Sequence, residues 1–179
     1  MHPVLSEEVD PLLHELSTLT VSQMQLSPSV NPKRWSIQQI AEHLLLTYEQ
    51  TTKNVAIRLT RKLPTQKEST LLQRSLRFLV LMLGLTVNGL PASDATTPQK
   101  IEPQSGEEVA ARLRAALEEM DVHLRKARHL FGMLPVAYHP FFGPMRVEQW
   151  RRYHAIHARH HLKQINQILI EYELKTEHP

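Results

Sequence analysis

Near the end of the chain, eleven residues carry four histidines: His154-Ala155-Ile156-His157-Ala158-Arg159-His160-His161-Leu162-Lys163-Gln164. Neutral imidazole is a ligand for divalent metals. His157 and His161 are spaced to lie one turn apart on the same helix face, where both can grip a single ion. Far upstream, Trp35-Ser36-Ile37-Gln38-Gln39-Ile40-Ala41-Glu42-His43-Leu44 holds His43 in a second helical segment. One imidazole from an early helix and two from a late one make a three-nitrogen site with coordination positions left open. Catalytic metals need that arrangement.

A blander role competes with this one. A single core-facing histidine more often hydrogen-bonds a backbone carbonyl, and with 11 histidines in the chain a pair four apart arises by chance fairly often. The direction in which the rings point weighs against the blander role. Projected as a helix, the last segment has a broad apolar arc of Trp150, Ala158, Leu162, Ile165, Ile168, Leu169 and Tyr172. His154, His157 and His161 fall within it or at its margin, whereas Arg159 and His160 fall outside. Imidazoles on a buried face are costly unless their nitrogens find partners, and one cation can serve several. His2, His14, His123, His129 and His178 belong to no such cluster and read as surface or tail residues. Tyr48 and Trp150 read as core packing.

The elements that must position these side chains are helices. An irregular first helix is expected from Val4 to about Leu26, with Pro11 tolerated only near a helix start or kink. A loop covers Ser27 to Arg34. Ser36 and Gln39 form a capping-box pattern, and apolar residues then recur at helical spacing from Ile37 to Leu59, up to a stop at Pro64. A third helix, from about Ser69 to Asn88, is apolar on most sides around Leu79 to Leu85, which predicts deep burial. Asn88-Gly89-Leu90-Pro91 reads as a helix stop and the stretch to Gln104 as a polar surface loop. Ser105 caps a fourth helix reaching about Phe131, with Glu107 and Glu108 in its first turn. Gly132 to Pro144 reads as a loop, and the last helix runs from Val147 to about Lys175. No strand candidate of comparable quality appears. The expectation is an all-α chain: an up-and-down four-helix bundle with an additional short N-terminal helical segment, forming a single domain over 1–179.

Composition narrows the function. The 179 residues are enough for one domain with a core, and 22% charged residues argue against disorder. A formal charge of +3 is spread thinly, with no run of like charges, so no nucleic-acid partner is expected. The absence of Cys excludes disulfides, thiolate ligands and a cysteine nucleophile. Any thiol chemistry must therefore use a thiol from outside. The N-terminus lacks a basic region and an apolar core, so no secretion signal is expected. The longest apolar stretch is roughly half of what crosses a bilayer. A cytoplasmic protein with no membrane partner is the expectation.

Together, the run Trp35 to Leu44, the loop His139-Pro140-Phe141-Phe142-Gly143, the pair Glu148 and Trp150, and the run His157 to Gln164 resemble a known family. They are similar to the DinB-like superfamily of metal-binding four-helix bundles, in a branch with an HPFFG…EW…HxxHHxxQ signature. The resemblance implies His43, His157 and His161 as ligands to divalent nickel, zinc or iron, a set that nitrogen ligation suits without choosing among them. It places His139, before the last helix, near the mouth of the pocket, either as a residue that contacts substrate or orients a ligand or as part of a turn in which Pro140 and Gly143 set the backbone. It implies His154 as a fourth ligand or a residue orienting one, with Gln164 and Glu42 as further orienting residues. Relatives include thiol S-transferases and isomerases that use bacillithiol or mycothiol.

Two functions from different classes follow. One is a metal-dependent enzyme, a thiol S-transferase or a hydrolase, acting on a small electrophilic molecule with a low-molecular-weight thiol as partner. The other is a non-catalytic metal-binding bundle in stress response or sensing. A homodimer paired through helix faces is also expected, with the apolar third helix best able to supply the surface.

Overall fold

Ser36 begins the segment that carries the first histidine of interest. Its hydroxyl accepts from the Gln39 amide, and Gln39 Oε1 accepts in return from the Ser36 N–H, closing the capping box. The helix so started, α3, runs Ile37–Arg61 and ends at Lys62 in a left-handed conformation, just short of Pro64. In the computed structural model, which describes residues 1–84, 93–99 and 102–175, it is one of six helices. The others are α1 (Pro3–Ser17), α2 (Val21–Met24), α4 (Leu71–Leu83), α5 (Gly106–Phe131) and α6 (Val147–Glu171). Among the described residues the chain is all-α apart from one small hairpin.

The bundle proper consists of α1, α3, α5 and α6. Helix α3 packs along α5, and α1 packs along both α6 and α5. The leading segment thus takes a full place in the bundle. It divides where Thr20 caps the separate turn α2, so a single helix over 4–26 does not form. Pro11 lies inside α1 at an exposed position, not at its start. Leu5, Leu12 and Leu16 of α1 join Leu113, Leu117 and Leu124 of α5 in the core. Two polar devices fix the approach of α1 to α5. The Gly106 amide donates to the Leu19 carbonyl at 3.0 Å, and a Cβ on Gly106 would stand 1.8 Å from the Leu16 carbonyl oxygen. Asp121, fully buried on α5, accepts from Arg151 Nε at 2.9 Å and from the His2 backbone N–H at 3.0 Å.

Helix α4 departs from the expected deep burial. Only Val80 and Leu81 are buried, while Leu71, Leu72, Phe78, Leu79, Met82 and Leu83 are exposed. The helix lies outside the bundle, and polar residues occupy much of its inward face. Gln73 donates to the Pro140 carbonyl and the Tyr138 hydroxyl, and Arg77 donates to the carbonyls of Phe142 and Pro144. The helix also ends at Leu83, short of the expected 88, because Gly84 adopts a left-handed conformation and closes it with its N–H on the Leu79 and Val80 carbonyls. The stop expected at 88–91 lies outside the described residues, as does His178.

The segment read as a loop before the last helix contains two short strands, β1 (Ala137–His139) and β2 (Gly143–Met145), paired antiparallel with His139 opposite Gly143. Strands of three residues are too short to show an alternation in sequence. The connection between them, Pro140 to Phe142, lines a cavity that residues of α3 and α6 also line. A further turn of 3-10 helix, Asp94–Thr96, packs against α3 and buries Thr96 in a stretch read as surface loop. No helix among the described residues is long and apolar enough to cross a membrane.

Candidate metal centre

Helices α3 and α6 bring three rings to one point. The ligand-type nitrogens of His43, His157 and His161 all lie within 4.8 Å of one another. His157 Nε2 stands 3.2 Å from His43 Nε2 and 2.9 Å from His161 Nε2. The opposite edges of two rings are already engaged. His43 Nδ1–H donates to the Thr96 carbonyl at 2.7 Å, and His161 Nδ1–H donates to Gln164 Oε1 at 2.8 Å. Those bonds fix both tautomers, so the Nε2 lone pairs of His43 and His161 face inward.

Protons alone do not satisfy this arrangement. If His157 carries its proton on Nε2, it can serve one of its two neighbours but not both. Its buried Nδ1, which has no partner among the described residues, is then left as a bare acceptor. If the proton sits on Nδ1, three lone pairs confront one another. A cation among the three nitrogens converts that repulsion into three bonds. The separations also suit one ion, since tetrahedral ligands about 2.1 Å from a metal lie about 3.4 Å apart. Three histidines, two buried and one half-buried, therefore stand close enough to hold one metal ion, and the donor chemistry fits.

Electrostatics favours the ligating form. Burial holds the pKa of His43 below its ordinary value and that of His157 far below it, and takes that of His161 down to about 3. Charge repulsion among the clustered rings adds to the effect at His157 and His161. All three are neutral at pH 7, with a lone pair available.

The triad lines one wall of a cavity of about 790 Å³. Trp35, Ile40, Gln50 and Thr51 also line it, together with Phe141 and Phe142 from the hairpin. Tyr153, one turn before His157, stacks on it with ring centroids 5.3 Å apart. Positions on the metal not taken by imidazole would open into this space.

Each residue singled out in the sequence has a definite place. Gln164 joins the rings of His161 and His160, donating from Nε2 to His160 Nε2 at 3.0 Å. His154 stays out of the cluster: it is fully buried, its Nε2 is 3.1 Å from Thr51 Oγ1, and burial lowers its pKa to about 3. His139 lines the cavity from the hairpin. Glu42 pairs with Arg112 at 3.4 Å and makes no hydrogen bond to the imidazoles among the described residues. Tyr48 and Trp150 are buried, as expected, although Trp150 also borders the cavity. Of the other histidines, His14 and His129 are exposed, and His2 and His123 are half-buried. Two participants escaped notice. Tyr153 was detectable, because it precedes His157 by four residues on the same helix. Thr96 was not, because it acts through a backbone carbonyl that every residue has.

A family model described as the DinB superfamily matches residues 5–165. No curated protein and no solved structure matches the chain.

Proposed function

The chain belongs to the DinB superfamily, and on that premise we propose that it is a metal-dependent enzyme acting on a small electrophilic molecule. The observation that carries the reading is the convergence of three inward lone pairs, from His43, His157 and His161, on the wall of a cavity large enough for a substrate. A divalent ion held there, nickel, zinc or iron, supplies Lewis acidity that lowers the pKa of a coordinated water or thiol toward neutrality. The chain supplies the rest. Thr96 and Gln164 hold two of the rings in the ligating tautomer, Tyr153 packs the third, and Phe141 and Phe142 of the hairpin add apolar surface to the pocket lining.

The preferred reaction is S-transfer from a low-molecular-weight thiol, with hydrolysis by water as the variant of the same chemistry. The sulfur bonds to the electrophilic carbon as the bond to the leaving group breaks, and the thiol proton passes to solvent. The thiol must come from outside, because the chain has no Cys. Residues 71–83 carry an exposed apolar stripe, and we assign to that stripe the surface through which two copies pair.

Metal analysis of the purified protein is the first test. Wild type is expected to carry one equivalent of metal, which His157→Ala and His161→Ala both lose while keeping a helical circular-dichroism spectrum. Unchanged stoichiometry in both variants would refute the assignment. A thiol-dependent turnover screen on the loaded protein then separates the enzyme from a metal-binding sensor. The sensor would hold its ion with no exchangeable ligand and turn nothing over.

A further inference from the structure

His139 is the polar group of the hairpin that the triad does not use. Its Nδ1 accepts a hydrogen bond from the Phe141 amide at 3.2 Å, so the ring proton resides on Nε2. That Nε2–H has no hydrogen-bond partner among the described residues, and the ring lines the cavity. Burial holds the imidazole neutral, with its pKa down to about 4. The ring is also held firmly. Phe142 stacks on it at 4.5 Å with an interplanar angle of 27°, and Tyr153 meets it edge-on at 4.8 Å. The backbone on either side is pinned from α4, where Gln73 holds the Pro140 carbonyl and Arg77 the Phe142 carbonyl. A donor so fixed has little orientational freedom left to lose when a ligand arrives.

Its surroundings define what it meets. Phe141, Phe142, Trp150 and Tyr153 border the same part of the cavity, giving flat apolar surfaces around one N–H. Tyr153 is the ring between His139 and His157, contacting both. A molecule beside Tyr153 therefore has the triad at one end and the donor at the other.

From this we infer that His139 is a substrate-binding donor, and that the cavity takes a small molecule with a flat apolar body bearing a carbonyl-type oxygen, which accepts from His139 Nε2–H. A half-buried, fixed donor that lines the cavity selects against a ligand lacking that oxygen, because an apolar molecule seated there would cover the N–H and leave it unpaired. The inference rests on reading the cavity as a substrate pocket, but not on the metal's being present.

A matched pair of probes, acetophenone and ethylbenzene, tests it. Their affinities are measured on zinc-loaded and on chelator-stripped wild type, and on the same two forms of His139→Phe. Wild type is expected to prefer acetophenone by about tenfold in both forms, the increment of one hydrogen bond in a desolvated site. His139→Phe keeps a stacking ring, so it should bind ethylbenzene unchanged and lose the preference. Equal preference in wild type and variant, or no binding of either probe, overturns the inference. A second readout needs no variant: acetophenone should shift the ¹⁵N resonance of His139 Nε2 in wild type, and no shift overturns the inference too. The metal reading fails separately, if the protein takes up no zinc while the preference persists in the stripped form.

Discussion

Gln164 bonds two imidazoles at once, and only one of them belongs to the triad. Its carbonyl oxygen keeps the His161 proton on Nδ1 and the lone pair on Nε2. Gln164→Leu keeps the size and removes that control. Zinc affinity is expected to fall about 10–100-fold, the usual cost of losing such a partner, with helicity unchanged. Competition against a chromophoric chelator measures it, and an unchanged affinity would mean that packing alone orients His161. The buried rings also set a pH dependence. The pKa values of His139, His154 and His161 are pushed down to about 4, 3 and 3 from an ordinary 6.5. Between those limits the unfolded chain binds more protons than the folded one, so stability is complete above about 6.5 and declines as pH falls below it. Melting temperatures in excess chelator should be level above pH 7 and drop steadily toward pH 4.5. A level profile over the whole range would contradict the buried, neutral state of these rings. At this scale the sequence was informative wherever a side chain does the work. The spacing of His157 and His161, and the inward side of α6, were legible; the carbonyl that holds His43 was not.

Two contacts decide how the helices sit. Gly106 starts α5 against the end of α1, where any side chain would collide with the Leu16 carbonyl. Gly106→Ala must therefore push two helices apart, and a loss on the order of 3 kcal/mol in urea unfolding is expected. A loss below about 0.5 kcal/mol, the range of ordinary surface changes, would show the approach to be looser than described. Asp121 presents the opposite case, a buried charge matched by Arg151. Removing the carboxylate in Asp121→Ala strands the guanidinium and should cost about 3–5 kcal/mol. The double variant Asp121→Leu with Arg151→Met should recover much of that loss. Helix starts were readable because Ser36 and Ser105 cap through local contacts that sequence spacing encodes. Helix α4 was misjudged for an equally physical reason. An apolar composition says that a helix seeks burial, not whether this chain provides it.

The whole molecule is a bundle of α1, α3, α5 and α6 with α4 and the hairpin laid over one side. Leu72, Phe78, Leu79, Met82 and Leu83 leave an apolar stripe on α4 in one chain. If two copies meet there, sedimentation should report a dimer, and Phe78→Glu with Met82→Glu should shift it to monomer without loss of metal. A wild type that sediments as a monomer at every concentration would end that proposal. The all-α class followed from periodicity alone, whereas joining His43 to α6 rested on the resemblance of the two histidine motifs to the DinB-like pattern. The hairpin did not follow, because a strand pair of three residues each leaves no rhythm to read.

The bond from His43 to Thr96 ties a ring on one helix to the main chain of a connector 53 positions later. Since a peptide oxygen is the acceptor, exchanging residue 96 for another amino acid leaves the tether intact. Removing or adding a residue in that connector would instead slide a different peptide unit under the ring. The metal's grip is thus vulnerable to a change in chain length at a place where changes of identity are tolerated.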